Sequence, residues 1–172
     1  MKRLLLAVAA CACVSVAVAG SIEDRVLDFP ADYRETFTRY YNNDRLFAEE
    51  QTIVLYANAA AVKGAKDGGK LPAGSVLVAE IYAAKKDADG AVIESALGRR
   101  IPGEMKAIAL MERRDGWDAQ YPDNLKVGDW EFEVFSADGK NLGKDTTGCR
   151  ECHHPLGDKD FLWSIEHLKA AN

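Results

Sequence analysis

Apolar and polar positions alternate in several short runs of this chain, the period of a strand with one face buried. "QTIVLYA" (51–57) and "SVLVAEIYA" (75–83) are rich in β-branched and aromatic residues, and "MKAIALMER" (105–113) is a third apolar run. In "WEFEVFSADGK" Trp130, Phe132 and Val134 alternate with Glu131, Glu133 and Phe135 before a turn at Ala137-Asp138-Gly139. Leu71-Pro72-Ala73-Gly74 is another turn, and "KKDADGA" a further one, with Gly90 at the place that calls for positive φ. Strands joined mostly by short turns pair antiparallel, because parallel neighbours need long crossovers.

Helical spacing marks the ends. "DFPADYRETFTRYYNNDR" offers Asp28 as a cap, Pro30 in the first turn, and Tyr33, Phe37 and Tyr41 four residues apart. It predicts an amphipathic helix to about Asn42. "NAAAVKGAKDGGK" predicts a short helix ending by Gly68-Gly69. "DFLWSIEHLKAA" predicts a C-terminal helix with Phe161, Ile165 and Leu168 on one face. No internal repeat or low-complexity segment divides the chain. The expected architecture over 20–172 is a single α+β domain, mainly β, with an antiparallel sheet and helices at both ends.

The start of the chain changes the setting. Lys2 and Arg3 precede an uncharged apolar run that ends in Ala17-Val18-Ala19, the three parts of a secretory signal peptide over residues 1–19. A membrane span fits less well, since the run is barely long enough and lacks a basic flank. Val8-Ala9-Ala10-Cys11 resembles a lipoprotein cleavage site, but the apolar run continues past Cys11. The 172 residues carry 22 basic and 27 acidic side chains. Removing Lys2 and Arg3 with the leader leaves 20 against 27, a net charge of −7. No basic stripe is offered to a nucleic-acid backbone.

The leader also takes Cys11 and Cys13, so the exported chain keeps Cys149 and Cys152 alone. Exported proteins use disulfides to close long loops, and a pair three residues apart closes almost nothing. "CRECHH" (149–154) instead holds Cys-x-x-Cys-His, the pattern of c-type haem attachment. Two thiols one helical turn apart can add to the vinyl groups of a porphyrin, and His153 would then lie under the iron as proximal ligand. Three other readings compete. A thioredoxin-like pair belongs at a helix start in a βαβ setting, which is missing here. A zinc site would use Cys149, Cys152, His153 and His154, although adjacent histidines rarely converge on one ion. A small disulfide needs no histidine.

His154 reads as a supporting or surface residue. His167, Met105 and Met111 are the candidates for a sixth iron ligand, the two methionines being expected on one face of their strand. A surface role for His167 and a core role for both methionines are the simpler readings. An open iron position follows, and an open ferrous haem binds diatomic gases whereas a closed one carries electrons. Asp87-x-Asp89-Gly90 reads as a hairpin turn rather than a calcium loop. Trp117, Trp130 and Trp163 read as core or haem-packing rings, and no nucleophile-base pair stands out.

With "FPADYRETF", "LPAGSVLVAEIY", "GDWEFEVF", "CRECHH" and "DKDFLWS" together, the chain resembles the cytochrome P-460 and cytochrome c′-beta family of periplasmic c-type haem proteins. The resemblance implies a sheet over the distal side of one covalent haem c, held by Cys149 and Cys152, with His153 as proximal ligand. It also implies a periplasmic location, a redox partner protein and a homodimer. In the P-460 branch a lysine on the strand after the Leu-Pro turn is cross-linked to the haem, and the enzyme oxidises hydroxylamine. Alignment on that strand puts Ala79 at the lysine position, Thr52 at an arginine position and Leu110 at a distal glutamate position. By alternation Val54, Leu77, Ile81 and Ile108 are expected to face the same way, giving a seven-residue apolar distal pocket. Such a pocket stabilises bound dioxygen little and nitric oxide adequately, and it lacks the base that hydroxylamine oxidation needs. The expected function is binding of a small gas, nitric oxide first, on the c′-beta side of the family, without an enzymatic role being required. A hydroxylamine oxidoreductase and a six-coordinate electron carrier are the alternatives.

Overall fold

In the computed structural model, which describes residues 27–172, five strands form one antiparallel sheet in chain order. They are β1 (Thr38–Asp44), β2 (Gln51–Ala57), β3 (Val76–Ala84), β4 (Pro102–Arg113) and β5 (Trp130–Phe135). The leader expected at 1–19 lies outside the described residues. Among the described residues no helix is long and apolar enough to cross a membrane.

β1 arises from the segment whose spacing predicts a helix. Only α1 (Tyr33–Thr36) is helical there, and the chain turns extended at Phe37. Thr38, Tyr40 and Tyr41 are β-branched or aromatic, and pairing with β2 satisfies their backbone groups along a whole edge. Tertiary pairing thus overrides a four-residue spacing that one helical face would also have produced. α2 (Ala59–Lys66) forms as expected. Its cap is Asn58, whose Oδ1 accepts from Ala61 N at 3.0 Å and from Val76 N at 3.2 Å, so one side chain ties the helix start to β3. Near the C-terminus α3 (Thr147–His153) is followed by a 3-10 segment, His154–Lys159, and by α4 (Ile165–Lys169). The helix expected over 160–171 is thus shortened to α4, and Asp160 and Phe161, at its expected start, both have positive φ.

Register decides which side chains share a face, because directly opposed residues of an antiparallel pair point the same way. Val54 and Ile108 flank Glu80, Thr52 faces Tyr82, and Leu110 faces Val78. These lie on one face. Ala79 sits between Leu55 and Ala109, Leu77 between Ala57 and Met111, and Ile81 between Ile53 and Ala107. These lie on the other. The seven positions expected to form one wall are thus divided, with Thr52, Val54, Ile108 and Leu110 on one side and Leu77, Ala79 and Ile81 on the other. A one-residue difference in matching one strand against its neighbours turns every side chain over, which accounts for the division between β3 and its neighbours β2 and β4. The methionines separate for a related reason. A register irregularity beside Ile81 sets Met105 opposite Tyr82, whereas Met111 stays opposite Leu77.

The face carrying Thr52 and Leu110 is closed by the N-terminal segment. Leu27 and Tyr33 pack there with Val54, Tyr56, Ile108 and Leu110. At its centre Glu80 is buried and accepts from Tyr33 Oη at 2.6 Å, Tyr82 Oη at 2.8 Å, Tyr56 Oη at 3.3 Å and Arg34 Nε at 2.6 Å. Burial pushes this carboxyl up, but the hydrogen bonds from Tyr33, Tyr82 and Arg34 and the charge of Arg34 outweigh it, so the group sits below its ordinary range. Burial and then Glu80 push the Tyr82 phenol up to about 12, so it remains a donor. A carboxyl whose folded pKa is depressed stabilises the fold above its unfolded pKa, about 4.3 for glutamate, and loses that contribution as pH falls through the folded value. Urea melts of the wild type are therefore expected to lose stability on acidification below about pH 4 more steeply than those of Glu80→Gln. Identical slopes for the two proteins would refute this account of the cluster.

Candidate functional site

α3 carries Cys149, Cys152 and His153 on consecutive turns. Thr147 N donates to Asp145 Oδ1 at 2.9 Å and Cys149 N to Thr146 O at 2.9 Å, which starts the helix just before the first cysteine. A spacing of three residues puts both thiols on one side. Both are free; Cys149 is half-buried and Cys152 exposed. Cys149 packs against the apolar cluster of the sheet face that carries Leu77, and the His153 ring meets Phe132 of β5 with centroids 5.1 Å apart. α3 therefore stands over the face that holds Ala79.

The chemistry of His153 follows from its partner. Its Nδ1 lies 2.6 Å from the carbonyl oxygen of Phe161. In the neutral tautomer Nδ1–H donates to that oxygen, and Nε2 keeps its lone pair for a metal. Burial pushes the imidazolium below its ordinary pKa, against a smaller opposing pull from the Phe161 carbonyl. The ring is thus held in a form ready to ligate. Burial raises the Cys149 thiol, and the neighbouring Cys152 adds to this. His154 turns elsewhere, with Nδ1 2.7 Å from the carbonyl oxygen of Lys126. The two histidines are oriented by different segments, which disfavours a shared zinc ion. Among the described residues no three His, Cys, Asp or Glu side chains are grouped to hold a metal.

Arg150, between the two cysteines, docks the helix. Only 1 % of its side chain is exposed, and its guanidinium lies 3.4 Å from the centroid of the Tyr121 ring. Nη2 donates to Glu131 Oε1 at 2.7 Å and to Trp130 O at 2.9 Å, while Nη1 donates to Leu125 O at 3.2 Å and meets Asp118 Oδ1 at 3.5 Å. Reading the motif as Cys-x-x-Cys-His passes over this residue. The only signal for it is an arginine among cysteines where a surface lysine would have served equally well in water.

Opposite α3 the sheet presents an apolar surface. Ile53, Leu55, Ala79, Ala107, Ala109 and Val134 share this face and are half-buried, with Leu77 and Ile81 buried beside them. Ile53, Leu55 and Ala109 share the face of Ala79 without being among the seven expected positions, and Thr52, Val54, Ile108 and Leu110 are buried on the other side of the sheet. Of the candidate sixth ligands, Met111 is on the α3 side, Met105 is on the far side with its sulfur 3.9 Å from Arg34 Nη2, and exposed His167 meets the Tyr41 ring at a tilt of 53° with centroids 4.6 Å apart. A flat apolar macrocycle fits this arrangement: two free thiols at helical spacing, an imidazole with Nε2 available, and an apolar floor.

Comparison with known families agrees with the geometry. The family model described as Cytochrome P460 matches residues 30–164, a span that takes in all five strands and α3. No curated protein matches the chain.

Proposed function

The chain belongs to the cytochrome P460 family, and from that premise we propose that it binds nitric oxide at the open iron of a single haem c. In this reading Cys149 and Cys152 form the thioether bonds, His153 is the proximal ligand, and the sheet face covers the opposite side. The haem supplies a metal centre for a diatomic ligand, and the chain supplies the pocket and the tuning.

The observation that carries the reading is the character of the face around Ala79. Its cross-strand neighbours are Leu55 and Ala109, and the next row is Ile53, Ile81 and Ala107. None of these has an amine to cross-link, a base to accept a proton or a donor for a polar ligand. Hydroxylamine oxidation has to remove protons, and the floor formed by these residues of β2, β3 and β4 offers no group for the purpose; the polar side chains sharing the face, Tyr41 and Asn43, lie on the edge strand β1. Nitric oxide needs no such help. The same reading has residues 1–19 removed on export to the periplasm, with a redox partner protein and a second copy of the chain as partners.

Absorption spectra of the ferrous protein test the proposal. Carbon monoxide and nitric oxide are each expected to shift the haem bands. An unchanged spectrum would replace the gas-binding reading with a six-coordinate electron carrier, for which Met111 and His167 are the candidates on the side of Ala79. A strongly red-shifted ferrous band before any gas is added would instead favour the cross-linked, hydroxylamine-oxidising type.

A further inference from the structure

The hydrogen bond on His153 comes from an unusual piece of backbone. Phe161 supplies the carbonyl, and Asp160 and Phe161 lie consecutively in the left-handed region with φ of 50° and 63°. Aspartate tolerates that region, but a bulky aromatic residue does so only when its surroundings enforce it. Two features enforce it here. The Phe161 ring lies against Gly128, where an added Cβ would come within 2.5 Å of Cε2, so the seat exists only because residue 128 is glycine. Asp160 supplies the second anchor. Its carboxylate is buried, accepts from Leu71 N at 2.7 Å, and pairs with Arg113 Nη1 at 3.2 Å. Leu71 precedes β3 and Arg113 ends β4, so the turn is tied to the rigid part of the sheet at two points.

We propose that Asp160 is a positioning residue for the proximal iron bond: by anchoring this left-handed turn to Leu71 and Arg113 it fixes the Phe161 carbonyl on His153 Nδ1. A proximal imidazole that donates a strong Nδ1–H bond is more basic, binds iron more tightly and favours the ferric state. The inference rests on His153 being the iron ligand and does not depend on which gas the haem binds. Asp160 itself touches neither the haem nor the gas. Its effect travels through one carbonyl.

The test uses the full haem-loaded protein with Asp160→Gly and Asp160→Asn. Glycine adopts positive φ freely but provides no anchor. Asparagine also tolerates the conformation and can accept from Leu71 N, but it loses the charged contact to Arg113. The iron–histidine stretching vibration of the ferrous protein is expected to fall in frequency, most in Asp160→Gly and less in Asp160→Asn. The midpoint potential is expected to rise in the same order. In Asp160→Gly the ferric–ferrous equilibrium should move about tenfold, at the low end for a partner of a ligating histidine, which reads as about 59 mV for one electron. Should Asp160→Gly fail to accumulate, Asp160→Asn decides through its potential alone. Variants that load haem and keep the wild-type vibration and potential, even with lowered melting temperatures, would overturn the proposal and leave Asp160 a merely structural anchor. A wild-type protein whose iron is not bound by histidine would overturn the proposal together with the assignment of His153.

Discussion

Arg150→Met is expected to destabilise the folded protein by about 3–5 kcal/mol, the usual cost of removing one partner from a buried ion pair. The loss is large because the guanidinium is enclosed. Its partner Glu131 is only 5 % exposed, and the variant removes its 2.7 Å contact to Arg150 while leaving the Tyr121 hydroxyl at 2.8 Å and Phe132 N at 3.1 Å. The carbonyls of Trp130 and Leu125 lose their donors as well. For a chain of this size 1 kcal/mol corresponds to about 2–4 °C, so a melting temperature lower by roughly 6–20 °C is expected. Arg150→Lys should fall between the two, because an ammonium keeps the charge but neither stacks flat on Tyr121 nor reaches three acceptors in a fork. Because Arg150 lies between the cysteines, the variant should also load haem less completely. A melting temperature within a degree or two of wild type would show that the docking of α3 lies elsewhere.

Removing both thiols has the second large effect. Cys149→Ala with Cys152→Ala is expected to leave no haem on the polypeptide after denaturation, read by haem-dependent peroxidase staining of a denaturing gel. Each single variant should retain one thioether and a weaker stain. His153→Ala should separate attachment from ligation: the covalent link can still form, while the spectrum loses its histidine-ligated character. Stain persisting in the double cysteine variant would sink the thioether assignment. A disulfide between the two thiols in place of haem would support the small-disulfide reading considered from the sequence.

The Cys-x-x-Cys-His segment and most of the sheet can be read from the chain without coordinates, and for different reasons. Cys-x-x-Cys-His is a local pattern, complete within five residues, so it is legible without any distant partner. β2, β3 and β5 announce themselves through β-branched and aromatic residues between turns and β4 as an apolar run, and a strand buried on one face leaves that trace in any context. β1 does not. Tyr33, Phe37 and Tyr41 are spaced for a helix, and only the presence of β2 at the right distance makes the extended form the better one.

The distal residues were less accessible still. Alternation along a strand tells which residues of that strand agree with one another, but not which residues of the next strand join them. The register leaves Ala79 on the α3 face and puts Thr52 and Leu110 on the other. The face around Ala79 is apolar in β2 and β4 all the same, because its cross-strand neighbours Leu55 and Ala109 are apolar. Asp160, Phe161 and Arg150 could not have been found this way. Their partners are 89, 47, 32 and 19 residues away for Leu71, Arg113, Asp118 and Glu131, and 8 residues separate His153 from the carbonyl of Phe161.

By itself, then, the sequence determined that this protein carries two thiols and an imidazole at haem-anchoring spacing beside a mainly β fold. Those features depend on covalent order and on local side-chain chemistry. Only the tertiary structure decided which sheet face α3 covers, which tyrosines hold Glu80, and which carbonyl orients His153. Those depend on strand register and on a left-handed turn tied to distant elements, and a hydrogen bond between remote segments has no signature until the chain has folded.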